Sequence, residues 1–73
     1  MKKLDLHGKT YFESKTLALT FVENNINNLP IKIITGNSNA MIKIIQDIAT
    51  KKGLKYDFES YVNLGALIIT EKY

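Results

Sequence analysis

Twice in this chain a short run of strand character ends in a glycine and gives way to an amphipathic helix. The first run is Lys2 to His7, closed by Gly8, with a helix opening at Thr10. The second is Ile31 to Thr35, closed by Gly36, with a helix from about Asn39 to Lys52. Strand–helix–strand units with connections of this length favour parallel pairing through a right-handed crossover. That repetition constrains the fold most, because it puts both helices on one face of a shared sheet.

The local signals agree with it. Leu4 and Leu6 alternate with Asp5 and His7, the pattern of a half-buried strand. Thr10 and Glu13 have the spacing of a capping box. Leu17, Ala18, Phe21 and Val22 then form an apolar stripe, and the polar run Asn24 to Asn28 ends the helix before Leu29-Pro30. Ile31 to Thr35 is β-branched and reads as a central strand buried on both sides or nearly so. Asn37 or Ser38 is placed to cap the second helix. Its stripe is Met41, Ile42, Ile45, Ile48 and Ala49, with Ile44 at the margin, and Gly53 follows Lys51 and Lys52 as the C′ residue. Leu54, Tyr56 and Phe58 alternate with Lys55, Asp57 and Glu59 as a third strand. Asn63-Leu64-Gly65 reads as a turn, and Ala66 to Thr70 as a fourth strand.

The order βαβαββ over residues 1–73 predicts one α/β (α+β) domain, a two-layer sandwich. Its four-stranded mixed sheet has the last two strands antiparallel and both helices on one face. Ferredoxin-like folds use a different order.

A chain of 73 residues buries only roughly 60% of the surface its unfolded form exposes, so its core must be packed well from Ile, Leu, Phe and Tyr. With no cysteine and one histidine, disulfides and a structural zinc site are disfavoured. No apolar run approaches the roughly 20 residues that span a bilayer. Met1-Lys2-Lys3 leads into a strand pattern without a signal core. The expectation is a cytoplasmic protein with no membrane partner. The net charge is +3 and every cationic residue is lysine, which suits a polyanion. Without arginine there is no bidentate reader of guanine edges, so sequence-specific duplex readout is disfavoured and backbone contact through lysine remains.

Parallel pairing places His7-Gly8 and Thr35-Gly36 at the same sheet edge, where ligands bind in open α/β sheets. The second helix begins just after Thr35-Gly36-Asn37-Ser38, so its free N–H groups and positive dipole end suit a phosphate there. Lys9 and Lys43 add charge. If the third strand is parallel too, the turn from Ser60 to Gly65 returns to this edge. Asp5 shares the face of His7; it is placed to orient the imidazole, to hold a metal, or simply to solvate the face without helices. A lone histidine at a strand end and a Thr-Gly turn are each more often structural. The signal is their convergence.

Leu4-Asp5-Leu6-His7-Gly8 followed by a capped helix resembles the opening LDLHG motif of the Smr (small MutS-related) domain family. Ile33-Ile34-Thr35-Gly36-Asn37-Ser38 is similar to that family's second motif, a strand ending in T/H-G-x-G, with Ser38 in place of the second glycine. Lys43 falls where the family commonly carries a basic residue, and Asn63-Leu64-Gly65-Ala66 matches part of its glycine-rich turn. The resemblance covers essentially the whole chain, in order.

It implies a fold like the C-terminal domain of bacterial translation initiation factor three, nucleic-acid binding, and endonuclease activity that cuts RNA or nicks DNA. On that reading His7 is the general acid or base, with Asp5 beside it. Gly8, Lys9, Thr35, Gly36, Asn37, Ser38, Lys43 and Gly65 contact phosphate or nucleic acid. No protein metal site is assigned, and Mg²⁺ enters only if the enzyme uses one. The partners are RNA or DNA, a ribosomal surface included, and the protein acts as a monomer or weak homodimer. The alternative is a non-catalytic nucleic-acid or ribosome-binding module. A third reading is a protein-interaction domain using the uncovered sheet face, with Ile34 and Ile69.

Overall fold

The computed structural model describes residues 1–60 and 65–71. Its elements are β1 (Lys2–Asp5), α1 (Tyr11–Asn24), β2 (Ile31–Ile34), α2 (Asn39–Lys51), β3 (Leu54–Phe58) and β4 (Ala66–Glu71). The strands form one sheet in the order β1-β2-β4-β3. β1 pairs parallel to β2, while β4 is antiparallel to both β2 and β3. β1, β2 and β3 therefore run the same way and end at one edge, where β4 begins. Of the expected turn, Asn63 and Leu64 lie outside the described residues.

The register separates the faces of the sheet. Leu4 lies beside Ile33, Ile31 and Ile33 beside Ile69 and Leu67, and these beside Tyr56 and Phe58. This face carries the helices. Leu6, Ile31, Ile33, Leu67 and Ile69 join Ala18 and Val22 of α1 and Met41, Ile45, Ile48 and Ala49 of α2 in one buried cluster. α1 packs on α2, and α2 on β3 and β4. The result is the two-layer α+β sandwich with a mixed sheet.

Three details differ from the sequence expectation. β2 is buried on one face only: Lys32 and Ile34 are half-buried, because no second helical layer covers the other side. Ile69, expected on that open face, is 0% exposed. Its pairing with Ile31 puts it in the core, and the two-residue period sends Ile68 outward instead. An ion pair between Lys32 and Glu59 crosses the open face over β4. On α1 the buried seam is Ser14, Ala18 and Val22, and Leu17 is 39% exposed. At roughly 100° per residue, Leu17 falls about a quarter-turn from the centre of that seam.

The polar run after α1 is also more ordered than its composition suggests. Asn25 is buried, its side-chain amide donates to the Phe21 carbonyl at 2.8 Å, and its backbone N–H donates to the Val22 carbonyl at 3.2 Å. These bonds satisfy carbonyls that the helix end leaves open.

Candidate functional site

The site is assembled from the ends of β1 and β2 and the starts of α1 and α2. The last bond holding β1 to β2 runs from the Leu6 N–H to the Ile34 carbonyl, at 2.8 Å. The chain then turns away. Asp5 Oδ1 accepts the His7 N–H at 2.8 Å, and the Lys9 N–H donates to the Leu6 carbonyl at 3.0 Å. His7 and Gly8 occupy the corner of this turn. Gly8 has φ +81°, the left-handed value that the third position of a type II turn requires. The strand thus stops at Asp5, before the expected His7, and His7 stands exposed on the turn.

β2 ends against the start of β4. The Thr35 and Gly36 N–H groups both donate to the Gly65 carbonyl, at 2.7 and 3.0 Å. The Thr35 hydroxyl is buried and lies 2.9 Å from the Gly36 carbonyl and 3.2 Å from the Gly65 carbonyl, sharing one proton between them. Gly36 has φ +68°, and a methyl built on it would sit 3.7 Å from His7 Cδ2. The edge of the imidazole therefore faces the open side of Gly36, with room for a methyl between them.

Of the two candidate caps for α2, Ser38 is the one used. Its Oγ accepts the Met41 N–H at 3.2 Å, and the first helical bond runs from the Ile42 N–H to the Ser38 carbonyl at 3.0 Å. The Asn39 and Ala40 N–H groups precede that bond and are the open donors of the helix start. Ser38 Oγ also lies 3.3 Å from Tyr11 Oη, a hydroxyl pair in which either can donate. This contact ties the first residue of α1 to the cap of α2.

α1 is capped by the box its sequence announces. Thr10 Oγ1 accepts the Glu13 N–H at 3.1 Å, and Glu13 Oε1 accepts the Thr10 N–H at 3.2 Å and its hydroxyl at 2.8 Å. The Thr10 hydroxyl, then the Thr10 backbone N–H and, more weakly, the charge of Lys9 hold the Glu13 carboxyl below the usual carboxylate range. Lys9 thus stands near Glu13, beside the His7 turn.

The edge gathers His7, Gly8, Gly36, Asn37 and Ser38, with Gly65 joining through its carbonyl. Several expected roles change. The Thr35 hydroxyl and the Gly36 N–H, expected to face a ligand, are committed to carbonyls of the fold. Gly65 supplies the acceptor that clamps β2 to β4. Lys43 is exposed and lies 3.7 Å from Asp47, one turn further along α2. Asp5 holds the His7 backbone through its N–H. Asp5 Oδ1 is engaged, and among the described residues no three His, Cys, Asp or Glu side chains cluster as they would around a metal.

Two residues the sequence reading passed over stand at this edge. Tyr11 is 54% exposed and Phe12 86% exposed. The available signal was their position: two aromatic rings fill the first two places of a helix, where small or acidic residues suit the dipole.

Among the described residues no helix is long and apolar enough to cross a membrane. No protein-family model, curated protein or solved structure matches this chain.

Proposed function

We propose that this chain is an Smr-like nucleic-acid-binding domain with endonuclease activity, in which His7 acts on a phosphodiester lying across the Gly36–Ser38 turn. The observation that carries the reading is the exposed imidazole facing Gly36 at the shared end of two parallel strands, two residues before the Ser38 cap of α2. An imidazole exchanges protons near neutral pH, and a helix start binds phosphate through its N–H groups.

In the proposed step His7 takes the proton of the attacking hydroxyl, an RNA 2′-OH or a water, as its oxygen bonds to phosphorus. The bond from phosphorus to the leaving sugar oxygen breaks, and that oxygen takes a proton from water, which reaches the open edge. Lys9 offsets charge on the phosphoryl oxygens. The N–H groups of Asn39 and Ala40 hold the neighbouring phosphate. Asp5 fixes the turn that presents His7.

A second reading, a binding module without catalysis, is favoured by one observation. The Gly36 N–H is given to Gly65, which takes one expected phosphate donor away, and His7 is the one imidazole in the chain. Labelled single-stranded RNA and supercoiled plasmid, incubated with wild type and His7→Ala with and without Mg²⁺, separate the two. The expected result is cleavage that falls about 100-fold or more in His7→Ala. Unchanged cleavage in the variant defeats the assignment of His7, and binding without cleavage selects the second reading.

A further inference from the structure

The start of α1 breaks the usual rule for a helix terminus. Its first turn carries Tyr11 and Phe12 directly after the capping Thr10. Phe12 leaves 86% of its surface in water and adds nothing to the core. Folding alone supplies no reason for a phenyl ring there, since an acidic residue or alanine serves an exposed first turn better. Tyr11 is half-exposed and held in place, its hydroxyl against Ser38. Tyr11 stands against the cap of α2, and Phe12 follows it in the first turn of α1, three residues after Lys9.

Exposed aromatic faces beside cationic groups are what an unpaired nucleobase and its phosphate require. The ring stacks on the base, and the cation and open amides take the backbone. A duplex hides its base faces within its own stack and offers nothing to such rings. The chain also lacks the arginine that would read base edges in a groove. A protein-docking surface calls for a contiguous apolar patch. Here the rings are flanked by Lys9, Thr10 and Glu13 in sequence, and the net charge of +3 complements a polyanion.

We propose that Tyr11 and Phe12 form a stacking platform for unpaired bases, so that the substrate class is single-stranded nucleic acid. The inference rests on the nucleic-acid reading of the His7 edge and narrows it. It predicts tolerance of base identity, because every base has a stacking face.

The test uses short oligonucleotides carrying 2-aminopurine, as single-stranded RNA, single-stranded DNA, the matching duplexes, and strands with abasic sites. They are titrated with wild type, Phe12→Ala and Phe12→Trp. Phe12 is exposed enough that its replacement leaves the fold intact, which circular dichroism checks. Wild type is expected to quench 2-aminopurine and to prefer single strands to duplex. Phe12→Ala is expected to weaken single-strand binding roughly 5- to 100-fold, with abasic strands and duplex little changed, and Phe12→Trp to restore it. Comparing the RNA and DNA arms names the source of the strand. Single-strand binding indifferent to Phe12→Ala, an equal loss on abasic strands, or loss of self-association in Phe12→Ala overturns the platform while leaving the His7 reading standing. Failure of wild type to bind any of these nucleic acids overturns both.

Discussion

Gly36 is the residue on which the candidate site turns. Its φ of +68° lies in the left-handed region, its N–H is held by the Gly65 carbonyl, and the His7 ring edge faces it. A methyl would meet His7 Cδ2 at 3.7 Å, an ordinary contact, so conformation rather than space opposes substitution. Gly36→Ala is expected to cost about 1–2 kcal/mol, read from the urea midpoint at unchanged m-value. A loss too small to measure shows that the turn relaxes without glycine. Two positions on, Ser38 has φ −87° and ψ 114°, which any residue adopts. The departure from the T/H-G-x-G pattern at Ser38 was visible in the sequence, but its reason was not. The backbone there needs no glycine, and the hydroxyl serves the Met41 N–H and meets Tyr11.

Among the elements, α1 carries a pH-dependent cap. Glu13 has its carboxyl pKa lowered in the fold, chiefly by the Thr10 hydroxyl. A group depressed in this way stabilises the fold above its unfolded pKa, and loses that contribution as pH falls through its folded pKa. The difference in melting temperature between wild type and Glu13→Gln is therefore expected to be largest near neutral pH and to shrink on acidification through and below the carboxylate range. Melts from pH 7 down to pH 3 measure it, and a difference that does not change with pH assigns the cap to neutral hydrogen bonding alone. This cap was legible from Thr10 and Glu13, since it closes within three residues. The buried seam of α1 was legible only in part. Ala18 and Val22 lie on the expected apolar stripe, but only tertiary packing put Ser14 rather than Leu17 beside them in the core.

For the whole molecule, one helix layer on one sheet leaves little stability to spare. A chain of this length is stable by a margin of order 0.05–0.15 kcal/mol per residue, and deleting a buried Ile side chain to Ala costs about 2–5 kcal/mol. Ile33, fully buried with Leu4 and Leu67 beside it, is expected in Ile33→Ala to remove much of that margin. Ile34→Ala, on the open face, is expected to cost far less. Thermal melts of both variants followed by circular dichroism test the face assignment, and equal losses contradict it.

Legible along the chain were the order of elements, both helix starts, the glycine turns and the meeting of His7 with the Thr35-Gly36 turn. Each of those follows from short-range rules: periodicity, capping within a helical turn, and the direction that a strand–helix–strand unit imposes. Only the tertiary structure decided which polar groups remain free at that meeting place. Gly65 takes the Thr35 and Gly36 N–H groups, and Ser38 meets Tyr11. The Thr35–Gly65 and Tyr11–Ser38 contacts join residues 30 and 27 positions apart. Such pairings are set by the register of β4 against β2 and the packing of α1 on α2, which no local pattern encodes.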